Sequence, residues 1–315
     1  MSTTSTDTYD QIGIREDLSD VIHNISPEET PFFSNAGTKS VDNTFFEWQT
    51  DSLAAVSADT AVEGADATFT TASPTNRVGN YTEIIQKTAM TSGTLEATDR
   101  AGRKREMAYQ VLKRAKEIRR DLEHHLVGIS QEKVQGNNTT PTPRKTASLQ
   151  TWMATNTSRG ATGTDPTGDG SDVPTDGTQR AFTETLLAEV IDKCYLSGGN
   201  PDVIMAAPFN KRAINNFSGN SSEQNLSVED KKIINAVSLY ESDYGVMKVV
   251  PNRFQRARDV LVLEMDYWKI ATLRPMRNEE IAKTGDSEKR QVLMECGLEA
   301  SNEAASGIVA DLTES

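Results

Sequence analysis

The sequence has no long hydrophobic run. Among its 315 residues, no uncharged apolar stretch approaches the 18 or so that a membrane-spanning helix needs, which argues against a membrane protein. The first 30 residues have no apolar core segment, so a secretory signal peptide is not expected either. They contain seven acidic residues instead: Asp7, Asp10, Glu16, Asp17, Asp20, Glu28 and Glu29.

Cysteine and histidine are scarce. Cys194 and Cys296 are the two cysteines, too few for a disulfide framework, so we expect a reducing, cytosolic origin and two core thiols. Of the three histidines, His124 and His125 are adjacent and would point about 100° apart on a helix, so they cannot bind one metal together. We therefore predict no metal site and no cysteine nucleophile.

Other catalytic patterns are missing as well. The glycines between residues 160 and 170 lack the spacing and the preceding strand that a phosphate-binding loop needs. The nearby acids do not alternate as the ligands of a calcium loop do; they are Asp165, Asp169, Asp172 and Asp176. A hydrolase using other carboxylates has no specific support. The sequence thus predicts neither a cofactor nor a catalytic residue.

Apolar residues are also fewer than usual. The hydrophobic set is 36% of the chain. Even with glycine counted and tyrosine left out the share is about 40%, below the roughly 45–50% of ordinary globular chains. The chain should fold, but parts of it should be arms or loops that become buried on a neighbouring molecule.

The N-terminal region predicts such an arm. Apolar residues at helical spacing indicate a short amphipathic helix that Ser26-Pro27 ends; they are Leu18, Val21, Ile22 and Ile25. The following Thr30-Pro31-Phe32-Phe33 should be an extended anchor with two aromatic rings.

The residue pattern of 45–91 predicts a long two-stranded segment that extends from the domain, called the excursion below. Phe46 and Trp48 alternate with polar residues, and a second strand is expected near residues 77–91. The tip between them, residues 54–76, contains small and acidic residues and no lysine or arginine. It is too long for a tight turn, so another molecule should hold it.

The rest of the chain predicts an α+β fold. An apolar stripe and strong helix formers favour one long helix over residues 94–135; the stripe is Val111, Ala115, Ile118, Leu122, Leu126 and Ile129. Residues 136–180, rich in Asn, Thr, Gly, Pro and Asp and interrupted only by a short patch at Leu149–Met153, should be a mobile surface loop. Mixed helices and largely antiparallel strands follow from residue 181.

One charge cluster stands out. Nine bases and two acids lie between residues 100 and 120 of a chain whose net charge is −13, while residues 1–70 hold thirteen acids and two bases. The basic segment could bind nucleic acid, could be a solvated helix face, or could receive the acidic arm of another copy. We favour the last, because strong nucleic-acid binders are usually basic overall.

Several short segments form an ordered set along nearly the whole chain. They are Arg15-Glu16-Asp17-Leu18-Ser19, Thr30-Pro31-Phe32, Glu47-Trp48, Asn80-Tyr81-Thr82-Glu83-Ile84, Arg120-Asp121-Leu122-Glu123, Val250-Pro251-Asn252-Arg253-Phe254, Leu273-Arg274-Pro275, Ala282-Lys283-Thr284-Gly285 and Asn302-Glu303-Ala304. Each segment is weak alone, but together and in this order they resemble the major capsid proteins of one branch of tailed bacteriophages.

The resemblance implies the Hong Kong 97-type capsid fold. Residues 1–44 would be the N-terminal arm and residues 45–91 the extended loop over a neighbouring subunit. Residues 92–180 would be the peripheral domain with its spine helix at 94–135 and the flexible loop at 136–180. Residues 181–265 would be the axial domain, and residues 266–315 the return strands and the C-terminal tail.

The resemblance also implies a function. Copies would assemble as pentamers and hexamers into an icosahedral head in the host cytoplasm and enclose double-stranded DNA in the virion without sequence-specific binding. A portal and a separate scaffolding protein, if one is needed, would be further partners. A nucleic-acid-binding protein using residues 100–120 is the alternative. The expected inter-subunit contacts are Phe32, Phe33, Phe46, Trp48, Arg103, Arg114, Arg119 and Arg120.

Some members of this family join subunits through a lysine of the extended loop. Residues 40–86 contain no lysine, so we predict a shell held without covalent cross-links. Purified particles dissociated in denaturant should give only monomer on a reducing gel. A ladder of covalent multimers would contradict this prediction.

Overall fold

The computed structural model describes residues 26–56, 58, 60–67, 69, 74–98, 105–217 and 239–314. Its α-helices are α1 Pro31–Asn35, α2 Gly93–Ala97, α3 Glu106–Glu123, α4 Leu149–Trp152, α5 Glu184–Leu196 and α6 Pro208–Asn215. Its strands are β1 Gly37–Ser40, β2 Phe45–Thr50, β3 Asn76–Tyr81, β4 Glu83–Ser92, β5 Thr157–Ser158, β6 Val203–Ala206, β7 Leu239–Ser242, β8 Gly245–Pro251, β9 Val260–Leu263, β10 Trp268–Ile281, β11 Ser287–Ala300 and β12 Gly307–Val309.

A four-stranded sheet in the order β1-β10-β11-β4 carries the long helix α3. Strands β10 and β11 form a long antiparallel hairpin, and β1 pairs parallel with β10. The apolar stripe of α3 includes Ile118 and Leu122, both fully buried in one cluster with Trp268 and Leu298 of the sheet. Packing of this stripe, rather than helix propensity alone, stabilises the helix.

A six-stranded mixed sheet in the order β5-β12-β9-β6-β8-β7 lies between two cores. Successive side chains of a strand point to opposite faces. Val203 and Met205 of β6 therefore join the core under α3, whereas Ile204 and Ala206 join a second core with α5. All four residues of β6 and all four of β9 are buried, which explains why both strands are uniformly apolar. The predicted α+β class is thus confirmed.

The predicted single helix over residues 94–135 is wrong in its bounds. Helix α2 ends at Ala97, and α3 starts at Glu106, where the Glu96 carboxylate accepts hydrogen bonds from the backbone N–H groups of Glu106 and Met107. After Glu123 the helix widens into a π-helical turn, His124–Gly128, and the chain is extended from Ile129. A Cβ on Gly128 would lie 2.3 Å from the carbonyl oxygen of Phe254, so this close approach marks the end of the helix.

The predicted mobile loop over residues 136–180 is also wrong, because its centre is core. Residues 146–153 are all buried and include helix α4. The hydroxyl of Thr146 accepts hydrogen bonds from the Asn80 side chain and from the backbone N–H of Leu298, both at 3.0 Å. Polar residues that composition predicts to be exposed to solvent are thus buried and hydrogen-bonded. Composition alone cannot detect this, because it contains no information about hydrogen-bond partners.

The second strand of the predicted excursion is divided in two. Strand β3 pairs with β2, but β4 pairs with β11 in the four-stranded sheet. The division lies at Thr82, whose backbone N–H donates to the carbonyl of Thr44 and whose hydroxyl donates to the Glu295 carboxylate. Only residues up to Tyr81 therefore belong to the projecting hairpin.

The base of this hairpin crosses the four-stranded sheet at a glycine. A Cβ on Gly297 of β11 would lie 2.8 Å from Cε1 of Phe46 and 2.8 Å from the carbonyl oxygen of Tyr81. Real Cβ atoms do not approach so closely, so any larger residue must push the hairpin away. The position of the hairpin base on the sheet therefore depends on glycine at residue 297.

We predict that Gly297→Ala lowers the free energy of unfolding of the dispersed subunit by about 1–3 kcal/mol, because the added methyl group overpacks this crossing. Chemical denaturation measures the effect. Gly37→Ala is the matched control, since its Cβ would meet chiefly the flexible side chain of Lys269 at 3.1 Å. Equal stability of the two variants would contradict the prediction.

Candidate subunit interface

The tip of the hairpin between β2 and β3 carries large apolar side chains that the described part of the chain leaves exposed. Leu53 is 98% exposed, Val56 104%, Val62 79% and Phe69 97%. Single exposed apolar residues are ordinary, but four on one projecting segment mark a surface that another molecule covers. The aromatic residues that the sequence favours as inter-subunit contacts, Phe46 and Trp48, lie at the hairpin base instead.

The aromatic residues at the hairpin base pack on their own chain. Phe46 is 6% exposed and stacks on Trp48, and Trp48 packs against Trp152 with ring centroids 5.2 Å apart. The ammonium of Lys133 lies 5.8 Å from the Trp152 ring. The expectation that Phe46 anchors another subunit is therefore corrected, because its surface is already used. Trp48 keeps partial exposure, so an outward contact by it stays a prediction.

Phe32 is likewise an internal anchor. Its side chain has no exposed surface and joins the core under α3, so the expected contact of Phe32 with another subunit is corrected too. Phe33 is half-buried and remains a candidate. The region predicted to be extended contains the short helix α1, with Pro31 at its first position.

A buried carboxylate at the end of α3 holds this N-terminal helix. The two oxygens of Glu123 accept the backbone N–H groups of Phe32 and Phe33, each at 2.8 Å. Oε1 also accepts from the Asn252 side chain at 2.6 Å. Burial raises the pKa of this carboxyl, while the three donors oppose that shift. Glu123 thus joins the N-terminal segment, α3 and the turn after β8, a role that sequence reasoning missed.

The four predicted arginine contacts have different environments. Arg103 lies outside the described residues. Arg114 forms an ion pair with Glu117 at 2.6 Å, one turn along the same helix. Arg119 is exposed, and Arg120 is half-buried beside the incoming N-terminal segment. Inter-subunit contacts by these arginines stay predictions.

One contact between the acidic arm and the basic helix is visible within a single copy. The Nζ atom of Lys116 lies 2.7 Å from Oε2 of Glu28. Both side chains are about half exposed, so this pair contributes little stability by itself. It shows, however, that the acidic segment reaches the basic helix of its own chain, whereas the sequence favours contact with another copy.

A second buried network lies where β4 passes the end of α3. Oε1 of Glu83, a buried residue, is 3.0 Å from Nδ1 of His125, and Oε2 accepts from the Gln131 side chain. The hydrogen bond with Glu83 raises the pKa of His125, while burial opposes it. His124 is exposed.

The cysteines and the potential metal ligands are the remaining candidates for chemistry. Both cysteines are buried, and burial raises the pKa of the Cys194 thiol to about 12. Within the described ranges no group of three potential ligands could hold a metal ion. The same part of the chain has no helix that is long and apolar enough to span a membrane.

The His125–Glu83 pair predicts a pH effect on stability. Because the folded-state pKa of His125 is raised, the pair stabilises the fold below about pH 6.5, and this contribution is lost as pH rises through the folded-state pKa. His125→Gln should therefore destabilise dispersed subunits more at pH 6 than at pH 9, measured by chemical denaturation. In a Glu83→Gln background the pH dependence should disappear; its persistence would refute the assignment to this pair.

Comparison with known proteins agrees with the fold. The family model described as SU10 major capsid protein matches residues 1–313. The chain is 30% identical to a major capsid protein of Escherichia phage Phieco32, over 96% of this chain and 95% of that one.

Solved structures show the same architecture at low identity. They include the cyanophage A-1(L) capsid (TM-score 0.69, 14% identity, 98% of both chains) and the capsid of a native GTA particle (TM-score 0.65, 12% identity, 97% of this chain and 98% of that one). With residues 1–313 matched by one family model and with this phage-capsid architecture, the chain belongs to the SU10 major capsid protein family and has the Hong Kong 97-type fold.

Proposed function

We propose that copies of this chain form the pentamers and hexamers of an icosahedral phage head around double-stranded DNA. The exposed tip of the β2–β3 hairpin is the observation that carries this proposal. Leu53, Val56 and Phe69 are almost completely exposed in a single copy, although the aromatic residues at the hairpin base pack on their own chain. An arm with a packed base and an exposed apolar end is suited to lie on an adjacent subunit.

We assign the peripheral domain and the axial domain to the two sheets. The four-stranded sheet with α3 would be the peripheral domain, and most of the six-stranded sheet would be the axial domain around the symmetry axes. Strands β5 and β12 belong to the six-stranded sheet although they lie outside residues 181–265. The axial domain would therefore include short segments from both flanking regions.

The role is structural rather than catalytic, in keeping with the family. The net charge of −13 would keep packaged DNA from adhering to the shell wall, so the protein would contact DNA without reading its sequence. A portal and a separate scaffolding protein are the further partners we propose, with assembly in the host cytoplasm before release of the virion.

The tip can be tested without disturbing the subunit fold. We predict that Leu53→Asp combined with Phe69→Asp leaves the unfolding midpoint of dispersed subunits unchanged, because both side chains are exposed. Particle yield should fall at least about tenfold, since each apolar side chain loses roughly 1.5–3 kcal/mol of burial per contact.

Electron microscopy and sedimentation of material produced with the phage's other head proteins measure the particle yield. Ala55→Ser, another exposed position of the tip, is the matched control and should assemble normally. Normal yield from the double variant would show that the tip does not bind a neighbour. Failure of the unaltered protein to form any particle would overturn the proposed function itself.

A further inference from the structure

Helix α5 and the turn between β7 and β8 share a surface of exposed aromatic and acidic side chains. The rings of Tyr195 and Tyr244 stack with their centroids 4.3 Å apart, although both residues are about half exposed. Leu196 and Val246 beside them are exposed as well. Aromatic and apolar side chains grouped in this way mark an interaction surface. We call this region, α5 with the β7–β8 turn, the acidic surface.

The acidic surface carries charge of one sign. Two depressions, of about 250 Å³ and about 470 Å³, adjoin Tyr244. Their walls hold no lysine or arginine but five acids: Glu184, Asp192, Asp202, Glu241 and Asp243. The charge of Asp192 raises the pKa of Tyr244, and the Tyr244 hydroxyl also donates a hydrogen bond to this carboxylate. The tyrosine ring is thus held beside α5, and a partner for this surface must bring positive charge.

A second surface beside the same sheet has the opposite charge. It consists of α6 and the turn after β8, residues 208–217 and 251–259, which hold five bases and a single acid, the buried Asp259. The Asn210 side chain donates to the carbonyl of Ala257, so the helix and the turn lie side by side. We call this region the basic surface.

Two arginines of the basic surface are available to another molecule. Arg256 and Arg258 are half-buried and both pair with Asp176 of their own chain. Arg212 and Arg253 are exposed instead. Guanidinium groups bind carboxylates through paired hydrogen bonds and also stack on aromatic rings. The exposed arginines therefore have the chemistry that the acidic surface requires.

The two surfaces lie apart within one copy. Asp243 is two residues before β8 and Arg253 is two residues after it. The strand itself, Gly245–Pro251, spans about 20 Å at roughly 3.3 Å per residue. An ion pair needs an approach of about 4 Å, so these two side chains cannot pair within one copy. The acidic surface of one copy is instead complementary to the basic surface of another.

Ring symmetry requires such a pair of surfaces. Copies arranged around a fivefold or sixfold axis contact one another head to tail, so each copy must offer two different surfaces that fit each other. The acidic and basic surfaces meet this requirement, and both belong to the six-stranded sheet that we assign to the axial domain.

We propose that a second copy of this chain docks its basic surface on the acidic surface, and that this contact closes the pentamers and hexamers. Arg212 and Arg253 of one copy would lie against the tyrosine pair of the next and bind Asp192 and Asp243. The inference rests on the proposed function, since it names the surfaces through which the axial domains would surround each axis. A separate basic protein on the acidic surface is the outcome that would contradict it.

Charge reversal of full-length protein tests the pairing, with particle yield measured by electron microscopy and sedimentation. Asp192→Arg with Asp243→Arg should lower the yield at least about tenfold, because like charges then meet across the contact. Arg212→Glu with Arg253→Glu should do the same. The four substitutions together should restore the yield to within about threefold of the unaltered protein. All four side chains are exposed, so the unfolding midpoint of dispersed subunits should not change.

Glu132→Arg with Glu314→Arg is the matched control, because it makes the same change in net charge at exposed positions outside both surfaces. Its yield should stay within about twofold of the unaltered protein. An equal loss in this control would show that net charge sets the yield, which overturns the proposal. A loss from the reversed aspartates that the reversed arginines do not correct would indicate a separate basic partner and would overturn it too.

Thiol cross-linking of assembled particles provides a second readout. With a short bifunctional maleimide, Tyr244→Cys combined with Arg253→Cys should give a ladder that ends at five and six copies, because each ring closes head to tail. Each single-cysteine variant should stay monomeric, since the native cysteines are buried. Dimers from Tyr244→Cys alone, or no ladder from the double variant, would overturn the proposal.

Failure of this contact is distinguishable from failure of the proposed function. Unaltered protein that forms no particle would overturn the proposed function. Particles whose yield withstands reversal of Asp192 and Asp243 would leave that function intact and overturn only the contact between the two surfaces.

Discussion

The carboxylate of Glu123 is the interaction on which the arrangement of the subunit depends. It lies fully buried at the end of α3 and accepts hydrogen bonds from two backbone N–H groups of α1 and from Asn252. A buried carboxylate is costly unless several donors satisfy it, so its three partners must stay in place together. The N-terminal segment, α3 and the turn after β8 are thereby fixed relative to one another.

The base and the tip of the β2–β3 hairpin differ in how much of their surface is buried. The hairpin base is closed, since Phe46, Trp48 and Trp152 pack together and Gly297 admits the crossing without a side chain. The hairpin tip is open, with Leu53 and Phe69 almost fully exposed. Apolar side chains exposed at the tip are unfavourable for a monomer. Their burial against a neighbouring subunit would recover that free energy on assembly.

Several interior positions are occupied by paired polar side chains rather than by apolar ones. Glu83 with His125, Glu295 with Arg274, and Thr146 with Asn80 occupy space that aliphatic side chains would otherwise fill. Such groups contribute little net stability, but they leave few alternative arrangements that satisfy every donor and acceptor. They therefore favour one geometry at the places where the hairpin, the sheet and α3 meet.

Local patterns in the sequence determined the α+β class, the apolar stripe of α3 and the two-stranded hairpin with its small and acidic tip residues. These features depend on periodicity and turn residues, which act over a few positions. The ordered resemblance to phage capsid proteins added the fold, because many weak segments in the right order are specific together.

Only the tertiary structure decided which polar and aromatic residues are internal. Whether Phe32 and Phe46 face their own chain or another depends on Glu123 and Gly297, which are 91 and 251 residues away along the sequence. The same holds for the ends of α3, set by Glu96 and by the approach of Phe254 to Gly128, and for the buried segment 146–153 within a polar stretch. A local pattern cannot register contacts that form only when distant parts of the chain meet.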